Sequence, residues 1–238
     1  MKKICSSLKT DGFGAQYWAN MTCIAHCRNN NFIYRHSPYI RTAHFKIERQ
    51  LNPKELCNFT GLKSDDDDDL SREIDDKRAW IFPWSRDNDK WFTPEICKEI
   101  RDMYYSVPKS NDIVKCDVAI HIRRGDIKEG NNRHLPLTYY QQIISKFKQT
   151  NPDFKIAIFS EGELDDFQEL VQENVEFHLN EELMMTFHSM VMAPHFVMGY
   201  SCFSMCASIL NTNQVYCEKL CGFNKLNSWI DTRTWIAT

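Results

Sequence analysis

The chain has 238 residues, of which 42% are hydrophobic, and its formal net charge at pH 7 is −3. This length allows one large domain or two small ones with real cores, and the small net charge gives no reason to expect a nucleic acid or an anionic membrane as a partner. No apolar run approaches the length of a membrane span, and polar residues follow Met1–Ser7 too soon for a signal peptide. We therefore expect a cytoplasmic protein whose ten cysteines are reduced thiols.

Residues 1–60 have the pattern of a Rossmann-like unit. Gly12 and Gly14 form a glycine turn, a helical pattern of apolar residues begins at Tyr17, and Phe32–Tyr34 has the character of the next strand. Glycine lets backbone amides approach a phosphate at a helix N-terminus, where the helix dipole favours anions. Turn formation explains the two glycines about as well as phosphate binding does.

The acidic run Asp65–Asp69 predicts an exposed loop over residues 65–78, because like charges repel one another and stay solvated. An Asp-x-Asp motif that carries a metal ion should follow a hydrophobic strand. No strand pattern precedes Asp65, so we predict a loop here rather than a metal site.

Aromatic side chains dominate the next segment, residues 79–108, which has a mixed, helix-like pattern. Core packing is the favoured interpretation of these side chains. A wall that stacks against the C–H surface of a sugar is the alternative. The residues concerned are Trp80, Phe82, Trp84, Trp91 and Phe92.

The cysteines include three pairs at i, i+4 spacing. Zinc sites more often use tighter spacings, and no histidine lies among the four cysteines nearest the C-terminus. Buried cysteine packs as a small apolar residue, so we predict core packing. The pairs are Cys23/Cys27, Cys202/Cys206 and Cys217/Cys221.

From Asp117 onward the chain alternates between strand and helix patterns, as an α/β domain should. We place a domain boundary between residues 115 and 116. The predicted strands are 117–122, 154–159, 175–178, 195–198 and 214–217, and the predicted helices are 139–149, 163–172, 181–192 and 203–210.

The strand 117–122 leads into Arg123-Arg124-Gly125-Asp126, which places two guanidinium groups at the carboxyl edge of the predicted sheet. Ligands of open α/β sheets bind outside that edge, and the planar fork of arginine matches phosphate oxygens two at a time. The amides that begin the helix 203–210, with the hydroxyls of Ser201 and Ser204, would form a second anion site facing the arginines. A surface turn with an ion pair, and simple N-capping by the serines, are the structural alternatives.

Four segments resemble, in order and spacing, the signatures of the GDP-fucose-dependent fucosyltransferases, especially the α-1,2 type. Residues 121–126 are similar to the His-x-Arg-Arg-Gly-Asp signature, and residues 135–144 to the Leu-Pro-x-x-Tyr-Tyr helix start. Residues 154–161 resemble Phe-x-x-Phe-Ser-Asp-Asp, with Glu161-Gly162 where two aspartates are usual, and residues 196–204 resemble Ile-x-x-Asn-Ser-Ser-Phe-Ser. The family commonly opens with Gly-Gly-x-Gly-Asn-Gln, of which this chain keeps Gly14 and Gln16 but has Ala15 in place of asparagine.

The resemblance implies an α/β fold of the GT-B type, with two Rossmann-like halves. Residues 1–115 would form the acceptor-side domain and residues 116–238 the nucleotide-sugar-binding domain. It also implies inverting transfer of L-fucose from GDP-fucose to a sugar hydroxyl of a glycan, with no metal ion or other cofactor. Charge that builds on the β-phosphate as the C1–O bond breaks would be stabilised by preorganised cations and amides.

In that interpretation Arg123 is the main phosphate contact and acts in catalysis, whereas Arg124 contacts the donor or instead holds Asp126 or a backbone carbonyl. His121 shares a face of the strand with Arg123 by alternation, so both can point at the nucleotide. Asp126 and Glu129 are the carboxylates near enough to act as the base, and the choice between them stays open. The remaining donor-binding residues would be Gly12, Gly14, Gln16, Ser160, Glu161, Glu182 (toward guanine or ribose), Ser201, Cys202, Phe203 and Ser204.

Two other functions stay open. A transferase of the same fold could use another nucleotide sugar, because phosphate contacts do not read the sugar. The second alternative is a nucleotide- or carbohydrate-binding protein without turnover. The departures from the family signatures at Ala15 and Glu161-Gly162 leave room for it. A kinase or phosphatase would need a glycine-rich lysine loop or a metal-binding acidic pair, and the sequence has neither.

Overall fold

The computed structural model of the chain describes residues 3–5, 11–36, 39, 52–62, 88–218 and 226–238. These residues form two compact units, of which one runs to Lys109 and the other begins at Ser110, with Leu226 grouped in the first. The boundary predicted from the sequence, between residues 115 and 116, lies a few residues further along the chain. The acidic run Asp65–Asp69 and the aromatic residues Trp80, Phe82 and Trp84 lie outside the described residues.

The first unit is built around one buried helix. Its strands β1 and β2 are parallel, and the helix α1 connects them into a βαβ unit. Apart from Ala15, α1 is buried from Phe13 to Cys27, as expected for a helix that is apolar on nearly every side. The described elements are β1 (Lys3–Cys5), α1 (Phe13–Asn29), β2 (Ile33–Arg35), α2 (Pro53–Thr60), α3 (Asn88–Trp91) and α4 (Pro94–Tyr105).

Helix α1 begins earlier than the sequence pattern predicts. Gly12 is its N-cap residue, so Gly14 lies inside the first helical turn and not in a turn before the helix. The ring of Phe13 is fully buried and packs against the rings of Tyr17 and Tyr39, at centroid distances of 5.6 and 5.8 Å. Burial of this aromatic residue extends the helix toward its N-terminus, which an apolar pattern counted from Tyr17 misses.

Local signals explain where α2 and α4 begin and end. The side chain of Asn52 accepts the backbone N–H of Lys54, and Glu55 completes a capping box at the start of α2. Gly61 ends α2 in the left-handed conformation, with φ 71°. Thr93 caps α4 by accepting the N–H of Ile96. These boundaries are therefore determined by short-range hydrogen bonds.

The described aromatic residues of segment 79–108 pack inside the first unit. Phe92 is buried and stacks on Trp18 with ring centroids 5.0 Å apart. Trp91 stacks on the imidazole of His26 at 5.5 Å. Core packing therefore accounts for both residues.

The cysteine pairs lie largely in the core. Cys23 and Cys27 are fully buried, and Phe32 and Tyr34 pack against them. Cys202 is half-buried at the start of a helix described below, and Cys221 lies outside the described residues. The packing interpretation is confirmed for the cysteines that are buried, namely Cys23, Cys27, Cys206 and Cys217.

The second unit is a doubly wound parallel sheet. Its strand order is β5-β4-β3-β6-β7-β8, and every neighbouring pair is parallel. Because β3 is the first strand of the unit, this order is that of the Rossmann fold. The elements are β3 (Val118–His121), α5 (Leu137–Thr150), β4 (Ile156–Ser160), a 3-10 helix (Leu164–Leu170), β5 (Val175–Leu179), α6 (Leu183–Met192), β6 (His195–Val197), α7 (Cys202–Leu210), β7 (Gln214–Cys217), β8 (Ile230–Asp231) and α8 (Thr232–Ala237).

The central strand β3 is buried on both faces, and its alternate residues face different helices. Val118 and Ile120 belong to a core cluster that also contains Ile143 and Phe147 of α5. His121 faces the opposite way, since its ring contacts α7. Strands of parallel sheets are covered by helices on both sides, which is why β3 is apolar without interruption until His121.

The α/β class that the sequence predicts is confirmed, since the described residues form a βαβ unit followed by a Rossmann sheet. Each element predicted between residues 117 and 217 has a counterpart, with ends shifted by a few residues. The segment predicted as the helix 163–172 is a 3-10 helix in which Phe167, at φ −127°, interrupts helical geometry. The short elements β8 and α8 were not predicted, because two to six residues show no clear periodicity. In the described part of the chain no helix is long and apolar enough to cross a membrane.

Candidate functional site

The loop after β3 lies where ligands bind in doubly wound folds. β3 pairs with β4 on one side and with β6 on the other, and the chain winds outward in opposite directions from these strands. The carboxyl ends of β3 and β6 therefore flank the topological switch point of the sheet. Residues 122–136 leave β3 at this edge, and residues 198–201 leave β6 at the same edge.

Arg123 has a buried donor group that the protein does not use. Its Nη2 donates to Oδ1 of Asp126, whereas its Nε is buried and has no hydrogen-bond partner. The side chain of Arg123 is 25% exposed, so a ligand can reach part of the guanidinium, whereas Nε itself is screened from solvent. A buried donor without a partner costs free energy, and an anion that accepts from Nε would remove that cost. Arg123 is thus suited to bind an anion.

Arg124 is used differently from its neighbour. Its Nη1 donates to the carbonyl of Arg123 and its Nη2 to the carbonyl of Leu135, both at 2.9 Å. Burial lowers the pKa of Arg124, an effect that Tyr140 and Asp166 oppose. The sequence left several roles open for Arg124, and the structure shows the one in which it donates to backbone carbonyls. These two bonds join the two ends of the loop.

The end of β4 supports the loop backbone. The hydroxyl of Ser160 donates to the carbonyl of Ile122 at 2.9 Å. Gly125 has φ 78°, which favours glycine, and a Cβ at this position would lie 1.8 Å from Oε2 of Glu161. The Glu161 carboxylate therefore packs directly against Gly125. Ser160 and Glu161, which the sequence assigns to the donor pocket, lie beside the arginine loop.

The start of α7 is tied to the end of β3. Ser201 is the N-cap of α7, and its Oγ accepts the N–H of Ser204 at 3.1 Å. The hydroxyl of Ser204 lies 2.5 Å from Nδ1 of His121 and accepts the N–H of Gly199 at 3.1 Å. The ring of Phe203 packs beside His121, with centroids 5.7 Å apart. Capping by Ser201 is thus confirmed, and it is compatible with anion binding at the same helix end.

Gly199 makes this close approach possible. A Cβ at Gly199 would lie 2.6 Å from the carbonyl oxygen of His121, 2.8 Å from its Nδ1 and 3.3 Å from the backbone nitrogen of Arg123. Any other residue would push the loop after β6 away from the end of β3. Sequence reasoning missed Gly199, although a glycine directly after a strand is a known signal of close backbone approach.

His121 is a buried neutral residue. It is 7% exposed, and burial together with the nearby positive charge of Arg123 lowers the pKa of His121 to about 3. His121 and Arg123 lie at one edge of the sheet, but the imidazole is directed toward α7. The imidazole of His121 is bonded to Ser204, and its contact with the nucleotide stays a prediction.

The two candidate bases lie on the same loop. Asp126 is 38% exposed and is engaged by Arg123. Glu129 is exposed, in a turn closed by the N–H of Asn131 and the carbonyl of Lys128 at 3.1 Å. The described geometry favours neither carboxylate over the other.

Glu182 caps a helix. Its Oε2 accepts the N–H of Met185 at 2.7 Å, at the N-terminus of α6. The carboxylate that the resemblance assigns to guanine or ribose is thus engaged in capping. Among the residues whose side chains are described, no group of three or more His, Cys, Asp or Glu could hold a metal ion.

The glycine turn of the first unit is held together by its own polar groups. The N–H of Gly12 donates to Oδ1 of Asp11, and Nε2 of Gln16 donates to the carbonyl of Asp11, both at 2.8 Å. Gln16 is 5% exposed. Gly12, Gly14 and Gln16 belong to the first unit, whereas the other predicted donor-binding residues belong to the second.

No protein-family model and no curated protein sequence matches this chain. Among solved structures, the heptosyltransferase WaaC of E. coli with ADP-2-deoxy-2-fluoro heptose has a TM-score of 0.47 and 10% identity, over 97% of this chain and 92% of that one. POFUT1 in complex with GDP-fucose has a TM-score of 0.43 and 12% identity, over 89% and 93%, respectively. The apo-form of POFUT1 has a TM-score of 0.41 and 10% identity, over 89% and 95%. Likenesses of this degree assign no substrate or reaction to the chain.

Proposed function

We propose that the protein is an inverting, metal-independent glycosyltransferase that transfers L-fucose from GDP-fucose to a sugar hydroxyl of a glycan. The observation that carries this proposal is the placement of Arg123. Its buried, unpartnered Nε lies on the loop after β3, and the loop that leads into α7 runs so close to it that a Cβ at Gly199 would lie 3.3 Å from the backbone nitrogen of Arg123. A cation and a helix N-terminus at the switch point of a Rossmann sheet suit the diphosphate of a nucleotide sugar.

The reaction that we propose places its largest charge change at this point. As the bond from C1 of the sugar to the β-phosphate oxygen breaks, negative charge grows on that phosphate. The acceptor oxygen forms the new bond to C1 from the opposite face, and its proton passes to a base. Arg123 and the dipole of α7 would stabilise the leaving diphosphate without a metal ion.

Other residues would support this chemistry. Arg124, Ser160 and Glu161 shape the loop that presents Arg123. Asp126 and Glu129 stay the candidate bases. Toward the donor we retain, from the resemblance, the residues Gly12, Gly14, Gln16, His121, Glu182, Ser201, Cys202, Phe203 and Ser204.

The choice of donor rests on the sequence resemblance, and a comparison of nucleotides tests it. GDP should raise the melting temperature more than UDP or CMP does, since a ligand at about 100 times its Kd adds about 2.7 kcal/mol of stability. A preference for UDP, or equal shifts, would replace fucose transfer with the alternative of a same-fold transferase for another nucleotide sugar.

Turnover separates an enzyme from a binding protein. Incubation with GDP-fucose and a panel of glycans should release GDP in step with fucosylated product. Binding of GDP-fucose without release of GDP on any acceptor would favour the alternative of a non-catalytic binding protein.

A further inference from the structure

The hydroxyl of Ser204 joins three separate parts of the second unit. Ser204 lies in the first turn of α7 and is completely buried. Its Oγ is 2.5 Å from Nδ1 of His121 at the end of β3, and it accepts the N–H of Gly199 in the loop after β6. One hydroxyl thus connects a central strand, a loop and a helix N-terminus.

We propose that the hydrogen bond between His121 and Ser204 positions the N-terminus of α7 relative to the Arg123 loop, so that the two form one diphosphate-binding site. In this role His121 and Ser204 are positioning residues, and for His121 it replaces the direct contact with the donor that the resemblance implies. This inference deepens the proposed function, on which it rests for the diphosphate as the ligand.

The surroundings of His121 support an indirect role. The imidazole is 7% exposed and is enclosed by Phe203 and the backbone at Gly199, where a Cβ would lie 2.8 Å from Nδ1. The ring of Phe203 in turn packs edge-on against Phe187 of α6, with centroids 5.2 Å apart. Because the His121 ring is enclosed in this way, it can fix the position of α7 relative to β3.

The geometry of the anion site explains why this position matters. Arg123 follows His121 by two residues, and its guanidinium is held by Asp126 on one side only. An anion that bridges the guanidinium of Arg123 and the start of α7 would need both groups at a fixed separation, because hydrogen bonds weaken steeply with distance and angle. The neutral state of His121, whose pKa is lowered to about 3, leaves the positive charge of the site to Arg123.

The chain offers a matched control one turn further along α7. Ser208 is also buried, and its hydroxyl donates to the carbonyl of Ser204 at 2.9 Å and contacts Sδ of Met198. None of these contacts involves β3. Ser204→Ala and Ser208→Ala therefore remove the same group from the same helix, and only the first removes the bond to His121.

Calorimetric titration with inorganic pyrophosphate and with GDP tests the proposal. Ser204→Ala should weaken both ligands by about tenfold or more, the scale of one lost hydrogen bond between a charged ligand and a displaced helix N-terminus. Ser208→Ala should stay within about twofold. The melting temperatures of both variants are measured as well. If the two fall equally, a difference in ligand affinity between the variants is not an effect of stability.

Variants of His121 distinguish positioning from direct contact, and they serve if Ser204→Ala does not fold. His121→Asn keeps a polar group near Nδ1 and should retain most of the binding, whereas His121→Phe keeps the ring volume without the hydrogen bond and should resemble Ser204→Ala. The double variant His121→Phe/Ser204→Ala should bind no more weakly than either single variant, since residues that act through one bond are not additive.

The outcomes separate this inference from the proposed function. Equal binding by Ser204→Ala and Ser208→Ala, or additive losses in the double variant, would overturn the positioning role while leaving glycosyl transfer intact. If only Ser204→Ala lost ligand binding, and the unmodified protein transferred no sugar from any nucleotide sugar, the positioning role would be supported and the proposed function would be wrong. If the unmodified protein bound neither pyrophosphate nor GDP, both would fall.

Discussion

Helix α1 in the first unit and helix α7 in the second both begin at polar turns, and the two turns use their polar groups differently. At α1 the N–H of Gly12 and the amide of Gln16 both bond to Asp11, one residue before the helix N-cap. At α7 the first turn bonds to His121 on a distant strand, next to Arg123. The described bonds of the α1 turn stay within the turn, whereas the α7 turn bonds to a strand residue two positions before Arg123, whose Nε has no hydrogen-bond partner.

This difference shows what a glycine turn before a helix can and cannot indicate. Such a turn supplies backbone amides, which favour an anion only weakly by themselves. The parallel pairing of β3 with β6 brings the loop that carries Arg123 and the loop that leads into α7 to one edge of the sheet, so a fixed positive charge lies at the same edge as this helix N-terminus. The site in the second unit is therefore the stronger candidate, and the following experiments test the contrast.

The largest effect should come from Arg123. Removing a preorganised donor to the leaving group typically lowers turnover by about 10²–10³-fold, so Arg123→Ala should reduce kcat with saturating donor by that order. Arg123→Lys keeps the charge but loses the planar fork and should stay strongly impaired. Steady-state kinetics measure both. Unchanged kcat with a raised donor KM would make Arg123 a passive anchor.

Arg124→Ala is the matched control for Arg123→Ala. It leaves the carbonyls of Arg123 and Leu135 without their partner, which should reduce the free energy of unfolding by about 1–3 kcal/mol. Its kcat should fall less than that of Arg123→Ala. A larger fall in kcat for Arg124→Ala, with wild-type stability, would reverse the roles of the two arginines.

Gly199→Ala should disturb the α7 site through packing. The added Cβ would lie 2.6 Å from the carbonyl oxygen of His121, and overpacking of this kind costs about 1–3 kcal/mol. Gly130→Ala is the control, because a Cβ at Gly130 meets nothing within 4 Å although its φ is 86°. Urea unfolding and pyrophosphate binding should both suffer in Gly199→Ala, and binding should be kept in Gly130→Ala. Normal binding by Gly199→Ala would show that the close approach is dispensable.

Acid should destabilise the two units alike, through His36 and His121. Burial lowers the pKa of His36 to about 4 and, with the charge of Arg123, that of His121 to about 3. Between pH 6.5 and pH 4 the unfolded chain therefore binds protons that the folded chain does not. The free energy of unfolding should fall by about 1 kcal/mol per pH unit for each histidine over that window.

Urea unfolding of His36→Phe and His121→Phe between pH 4 and pH 8 measures these contributions separately. Each variant should show a shallower acid dependence than the unmodified protein. A slope that neither substitution changes would mean that other groups cause the acid sensitivity.

Gln16→Ala should affect stability more than donor binding. The substitution removes the amide that donates to the carbonyl of Asp11, at a cost of about 1 kcal/mol. Donor affinity should fall by much less than in Arg123→Ala, as measured by titration with GDP. A loss of GDP binding as large as that of Arg123→Ala would show that the α1 turn is an equal part of the donor site.

The smallest effect should come from the acidic run. Replacement of Asp65–Asp69 by serine should leave turnover nearly unchanged, and activity should survive a chelator, because the proposed mechanism draws its positive charge from Arg123. Loss of activity in EDTA that manganese restores would show a metal-dependent reaction.

Much of the second unit could be predicted from its sequence. The apolar run Val118–Ile120, the helical spacing of Tyr140, Ile143, Ile144 and Phe147, and Ser201 as a cap are local patterns, and the structure has each of them. The residue types also predicted that two arginines follow the carboxyl end of a strand. In the first unit the start of α1 was missed, because the burial of Phe13 depends on contacts with Tyr39, far along the chain.

By itself, the sequence determined the α/β class, the alternation of strand and helix after Asp117 and the presence of Arg123 and Arg124 after a strand, because these follow from local periodicity and residue type. The tertiary structure decided how the two arginines differ. Arg124 reaches the carbonyl of Leu135 and Arg123 does not, and His121 meets Ser204 across 83 residues of sequence. Such contacts depend on strand order and parallel register, which bring distant residues to one edge of the sheet and which no short stretch of sequence encodes.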